Sequence, residues 1–181
     1  VTGGEVRGRY SVVGLKPDLI WRCQGEGAEI NRDARFDAAA FVPLPGAPLD
    51  ELRRLLAESR LTLPEGMPPI AAGLFGYLAY DMVRQVEDLP DNRPDPLALP
   101  DALLMRPSVV AVLDGVRGEV TVVAPAWAGG GLSARAAYAQ AAERVMDAVR
   151  DLEREAPGAG RALGANAQVG PARSNFTHEG Y

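Results

Sequence analysis

Arg9 to Gly14 reads RYSVVG, a β-branched and aromatic run that predicts a strand. Lys16-Pro17-Asp18 predicts a turn, because Pro sets φ there. Leu19 to Cys23 (LIWRC) predicts a second strand, and Ala28 to Arg32 a third after the Gly25-Glu26-Gly27 turn. Three short strands with tight turns predict a β-meander and not a βαβ unit. Val42 to Pro48 (VPLPGAP) reads as a Pro-rich connection. Leu49 to Arg60 predicts a helix, with Leu49, Leu52, Leu55 and Leu56 on one face. Asp50 and Glu51 fall in its first turn, where the helix dipole favours acids. The prolines between Leu63 and Pro69 end it.

Ile70 to Tyr80 (IAAGLFGYLAY) is apolar on both faces and predicts a buried strand or a buried helix. Gly73 and Gly76 would weaken either element, so they imply close backbone packing. Asp81 to Glu87 predicts a short helix, and the proline-rich stretch from Asp88 to Pro100 an extended or looped connection. Ala102 to Met105 predicts a short strand. Val109 to Leu113 and Glu119 to Val123 predict a hairpin around Asp114-Gly115-Val116-Arg117-Gly118. Ser133 is placed to cap a helix running to about Glu155, with Tyr138, Ala141, Val145, Val149 and Leu152 as its apolar face. Residues 156–173 are rich in Gly and Ala and predict a flexible linker. Ordinary globular composition resumes at 174–181. The expected fold class is α+β: a mainly antiparallel β-sheet domain over 1–155 with two main helices, followed by the linker.

Composition narrows the functions. The 181 residues are 47% hydrophobic and 24% charged, enough for a core without staples. A net charge of −5 argues against a nucleic-acid or anionic-membrane surface, where clustered Lys and Arg are required. Cys23 is the single cysteine and His178 the single histidine, so an internal disulfide, a Cys-rich zinc site and a His-based metal cluster are not expected. That usage, with no visible signal peptide, fits a cytoplasmic location. The chain opens on Val1 and stops at Tyr181 just as a new segment begins, so a piece of a longer protein is expected.

Few residues suggest chemistry by themselves. Gly73-Leu74-Phe75-Gly76-Tyr77 lacks the Gly-Lys-Ser/Thr of a P-loop and the third Gly of a dinucleotide fingerprint. Tyr77, Tyr80 and Asp81 can offer phenols and a carboxylate, or simply bury rings and cap a helix. Arg7, Arg9, Tyr10 and Ser11 form a polar cluster at a strand start. There Arg9 can grip a carboxylate in a bidentate manner, or make a surface ion pair. The acids between Asp81 and Asp95 lack the spacing of a calcium loop. On residues alone, the reading is a regulatory, scaffold or binding domain.

Several stretches, in order, resemble the anthranilate synthase component I family. They are Gly8-Arg9-Tyr10-Ser11-Val12-Val13-Gly14-Leu15 with Pro17-Asp18, then Pro68 to Asp81 (PPIAAGLFGYLAYD), Leu99-Pro100-Asp101, and Ser174-Asn175-Phe176-Thr177 with Tyr181. Ala72 departs from the family pattern, where the first Gly is usual. The resemblance implies a β-rich regulatory domain ahead of a chorismate-binding domain that begins at 174–181. That domain would bind chorismate and Mg²⁺ and carry the catalytic residues, so none is expected here. The resemblance further implies conversion of chorismate and ammonia to anthranilate and pyruvate, with a glutaminase partner (component II) as the ammonia source. L-Tryptophan would act as feedback inhibitor, with Arg9, Tyr10 and Ser11 at its site. The alternatives are component I of aminodeoxychorismate synthase, which shares the fold and the Gly76-Tyr77 and Tyr80-Asp81 signature, although Gly8 to Gly14 leans toward the tryptophan branch, and a stand-alone non-catalytic binding domain.

Overall fold

The structure, a computed structural model, describes residues 8–90, 94–127 and 131–154. The expected linker at 156–173, the segment 174–181 and His178 lie outside the described residues. Six antiparallel strands form one sheet: β1 (Tyr10–Gln24), β2 (Gly27–Asn31), β3 (Val42–Leu44), β4 (Phe75–Leu78), β5 (Ala102–Asp114) and β6 (Glu119–Val123). Their order is β3-β2-β1-β5-β4, with β6 also paired to β5. Helix α1 spans Pro48–Glu58, a 3₁₀ helix spans Tyr80–Gln85, and helix α2 spans Ala134–Leu152. The expected α+β class and β5–β6 hairpin are present, whereas the expected meander of three short strands is replaced by β1, β2 and β3.

Two expected interruptions are absent. Lys16-Pro17-Asp18 does not turn the chain, and β1 runs 15 residues through it. Likewise the two expected strands after Pro100 are one 13-residue strand, β5, which passes through Pro107. The prolines face each other: Pro17 pairs with Pro107. The next pair is Leu19 with Arg106, so Asp18 is an extra residue, a β-bulge. Two long partners lend pairing to positions whose local chemistry favours a break. Val42 to Leu44 likewise gains strand form as β3 by pairing with β2, although Pro43 lies within it.

The bulge decides which side chains meet. Residues paired across an antiparallel ladder share a face. Trp21 pairs with Leu104, and Tyr10 with Asp114, two positions of the same parity on β5. Trp21 and Tyr10 therefore lie on one face although their own spacing is odd. On that face Leu19, Trp21 and Cys23 join Ala28, Ile30, Ala102 and the α1 residues Leu52 and Leu55 in one buried core. Burial pushes the Cys23 thiol up to about 11, with the nearby Asp101 carboxylate adding to the shift.

Asp18 is held in place. Arg106 donates to its carboxylate from Nε (2.9 Å) and Nη2 (3.1 Å), and from Nη1 to Ser59 Oγ (3.3 Å) at the end of α1. The same guanidinium lies over the Trp127 ring, 4.4 Å from its centre. One side chain thus ties the bulge, α1 and the segment after β6 together.

The run at 70–80 contributes only a four-residue strand, β4. Ala71 is fully buried, but Tyr77 and Leu78 are exposed, so burial on both faces is not what the structure has. The expected close approach is real at Gly76: a Cβ there would drive into the Leu103 carbonyl of β5. Helix α2 begins at Ser133, whose Oγ accepts the Ala136 N–H at 3.2 Å, as expected of a cap. Its buried residues are Ala137, Ala141 and Ala148, while Tyr138 and Leu152 are exposed. The buried face is rotated from the expected one, because the small alanines allow close approach.

Candidate functional site

Arg9 precedes β1, whose first residue pairs with the last residue of β5. The Gly115 N–H donates to the Arg9 carbonyl at 2.8 Å, which fixes the Arg9 backbone against the β5–β6 turn. Its side chain meets Asp114: Nε lies 3.0 Å from Oδ1 and 3.0 Å from Oδ2, and Nη2 lies 2.6 Å from Oδ2. The guanidinium carbon also sits 5.0 Å from the centre of the Tyr10 ring. Asp114 Oδ1 accepts the Val116 and Arg117 N–H groups at 3.0 and 3.1 Å, an Asx-type closure of the hairpin loop. The hydrogen bond from Arg9 is the main reason, with those backbone donors, that the Asp114 carboxyl titrates well below the usual carboxylate range.

This pair borders a cavity of about 220 Å³. Its sheet wall is Tyr10, Val112, Asp114, Glu119 and Thr121, and Gly66, Met67, Pro68 and Pro69 close it from the loop before β4. Arg9 and Arg117 complete the lining. The register explains the wall: Tyr10 pairs with Asp114, Asp114 with Glu119, and Val112 with Thr121, so all share one face. Two guanidiniums, two carboxylates and an apolar roof suit a small amphiphilic ligand that carries both charges.

The expected trio at the strand start is divided. Arg9 and Tyr10 line the cavity. Ser11 pairs with Leu113, and strand alternation turns it to the other face, where it is exposed beside Val13 and Leu15. Asp114, Arg117, Glu119 and Thr121 were not singled out from the sequence as ligand-site residues. The hairpin and the strand at Arg9 to Gly14 are each legible in the sequence, but their pairing is not.

Elsewhere, the Tyr77 hydroxyl donates to the Pro100 carbonyl at 2.9 Å, and Asp81 pairs with Arg84 at 3.1 Å within the 3₁₀ helix. Tyr80 and Asp81 line one open cavity of about 610 Å³ with Arg84 and Asp101, and Tyr77 does not join them. Among the described residues no group of three or more His, Cys, Asp or Glu is placed to hold a metal ion. No helix of the described residues is long and apolar enough to cross a membrane.

No family model matches the chain. Anthranilate synthase component 1 of Cereibacter sphaeroides is 74% identical over 181 residues, all of this chain and 36% of that protein. The protein of the same name from Pseudomonas aeruginosa is 33% identical over 189 aligned residues, again covering 100% of this chain and 36% of the relative. The crystal structure of anthranilate synthase component I from Streptococcus pneumoniae superposes with a TM-score of 0.65 over 87% of this chain and 32% of that one. At 16% identity that likeness speaks for the fold. The chain thus spans about a third of the length of the relatives it matches, and over the whole of its own length it belongs to the anthranilate synthase component 1 family.

Proposed function

We propose that this chain is the regulatory portion of an anthranilate synthase component I, a lyase in tryptophan biosynthesis. The full-length protein would convert chorismate and ammonia to anthranilate and pyruvate. Similarity to proteins of that name over every residue of the chain supports the enzyme. A chorismate-binding domain beyond these residues would hold chorismate and Mg²⁺ and supply the catalytic groups. A glutaminase subunit, component II, would deliver ammonia in the cytoplasm. The names of the relatives favour this reading over the aminodeoxychorismate branch and over a stand-alone binding domain.

The observation that carries the regulatory role is the cavity at the start of β1. Arg9 stands at its edge, where a guanidinium can meet a ligand carboxylate. Met67, Pro68 and Pro69 would offer apolar contacts to an indole. L-Tryptophan, with one carboxylate, one ammonium and a large apolar ring, fits that chemistry. Of the trio implied by the family, Arg9 and Tyr10 line the cavity and would contact the ligand, whereas Ser11 pairs with Leu113 on the other face. Inhibition of a distant reaction requires tryptophan to prefer one of two conformations of the whole enzyme. Restraint of this domain's rotation against the catalytic one is such a mechanism.

The test supplies the full-length protein with chorismate, Mg²⁺ and ammonium, follows anthranilate fluorescence and titrates tryptophan. Anthranilate formation that tryptophan shuts off is expected. Arg9→Ala should then weaken inhibition by an order of magnitude or more, as loss of a charged hydrogen bond does. An aminodeoxychorismate product instead of anthranilate would move the protein to the other branch.

A further inference from the structure

The geometry points to Asp114 as the residue that positions Arg9 for the ligand carboxylate, an inference that rests on the tryptophan reading above. A guanidinium offers two donor edges in a rigid plane. Asp114 takes the Nε and Nη2 edge with three contacts of 2.6 to 3.0 Å, and so sets where the Nη1 and Nη2 edge points. The side chains are only 26% and 11% exposed, so water competes weakly for the pair.

Asp114 is itself fixed. Its Oδ1 accepts two backbone N–H groups of the hairpin loop, and its Cα is locked between Tyr10 and Glu119 in the ladder. The Arg9 backbone is tied to the same turn through Gly115. Both ends of the ion pair are therefore anchored to one rigid hairpin at the cavity wall. An arginine already held in one rotamer loses less freedom when a ligand arrives. Asp114 thus acts through Arg9, on the carboxylate end of the ligand.

Asparagine separates this role from the structural one. In Asp114→Asn the amide oxygen can still accept the Val116 and Arg117 N–H groups and keep the turn. It cannot present two charged oxygens to Arg9. Binding to the full-length protein is measured by calorimetry for L-tryptophan and for L-tryptophanamide, which lacks the carboxylate. The wild type should prefer tryptophan at least tenfold. Asp114→Asn should cut that preference about tenfold, chiefly by weakening tryptophan, and Asp114→Glu should restore part of it. Distortion of the cavity would weaken both ligands alike and leave the preference intact. An unchanged preference in Asp114→Asn, with tryptophan still bound by the wild type, would overturn this inference alone. A wild type that binds neither ligand would overturn the tryptophan reading and this inference together.

Discussion

Arg106 links three parts of the fold through one side chain. It joins the Asp18 bulge to Ser59 at the end of α1 and lies over Trp127. Its side chain is 10% exposed and that of Asp18 23%, so neither charge is well served by water. Removing the cation leaves a carboxylate in a partly dry place without its partner. Arg106→Ala is expected to destabilise the chain by about 3 kcal/mol, the lower end for a broken buried pair. Urea denaturation of wild type and variant measures it. A change of only a few tenths would place this pair with exposed ones. From the sequence, Asp18 belonged to a turn and Arg106 to no motif. They lie 88 positions apart, and only strand pairing brings them together.

At the scale of elements, the local reading held where propensity and pattern agreed. Helix α1, the 3₁₀ helix and the β5–β6 hairpin fall close to their expected spans. It failed where a long partner strand overrode local chemistry, as at Pro17 and Pro107. Helix α2 shows a subtler failure. The expected buried face ran through Tyr138, Ala141, Val145, Val149 and Leu152, yet of these only Ala141 is buried, at 5% exposed, and Tyr138 is 72% exposed. Ala141→Leu should therefore cost about 1–3 kcal/mol by overpacking. Tyr138→Ala should stay within about 0.5 kcal/mol, as surface changes do. Thermal melts of the two variants decide the matter, and a large loss of stability in Tyr138→Ala would restore the face expected from the pattern.

For the molecule as a whole, the ion pairs make stability depend on acid in a definite sense. Arg9 holds the Asp114 carboxyl well below its usual range, and the Arg32 hydrogen bond lowers Glu58. Both carboxylates are depressed in the folded state. Their contribution is therefore fully present above the unfolded values near about pH 4, and is lost as pH falls toward the folded ones. The melting temperature should stay level from about pH 7 to about pH 5 and drop below about pH 4. Arg9→Ala should shrink the part of the drop that belongs to Asp114. A melting temperature that stays level to about pH 2 in the wild type would reject the linkage.

What the sequence determined by itself was the class of the fold, the places where helices start, the β5–β6 hairpin and the family. These rest on signals a few residues wide: a Ser before a helix, a glycine turn between β-branched runs, an ordered set of short motifs. What only the tertiary structure decided was which side of the sheet each residue serves. Counting by alternation back from buried Trp21 would put Ser11 on the core face and Tyr10 outside. The extra residue at Asp18 reverses that parity, so Tyr10 lines the cavity and Ser11 is exposed on the other side. The reversal is specified jointly by two prolines and an arginine on strands far apart in the chain. No pattern along one strand contains that information.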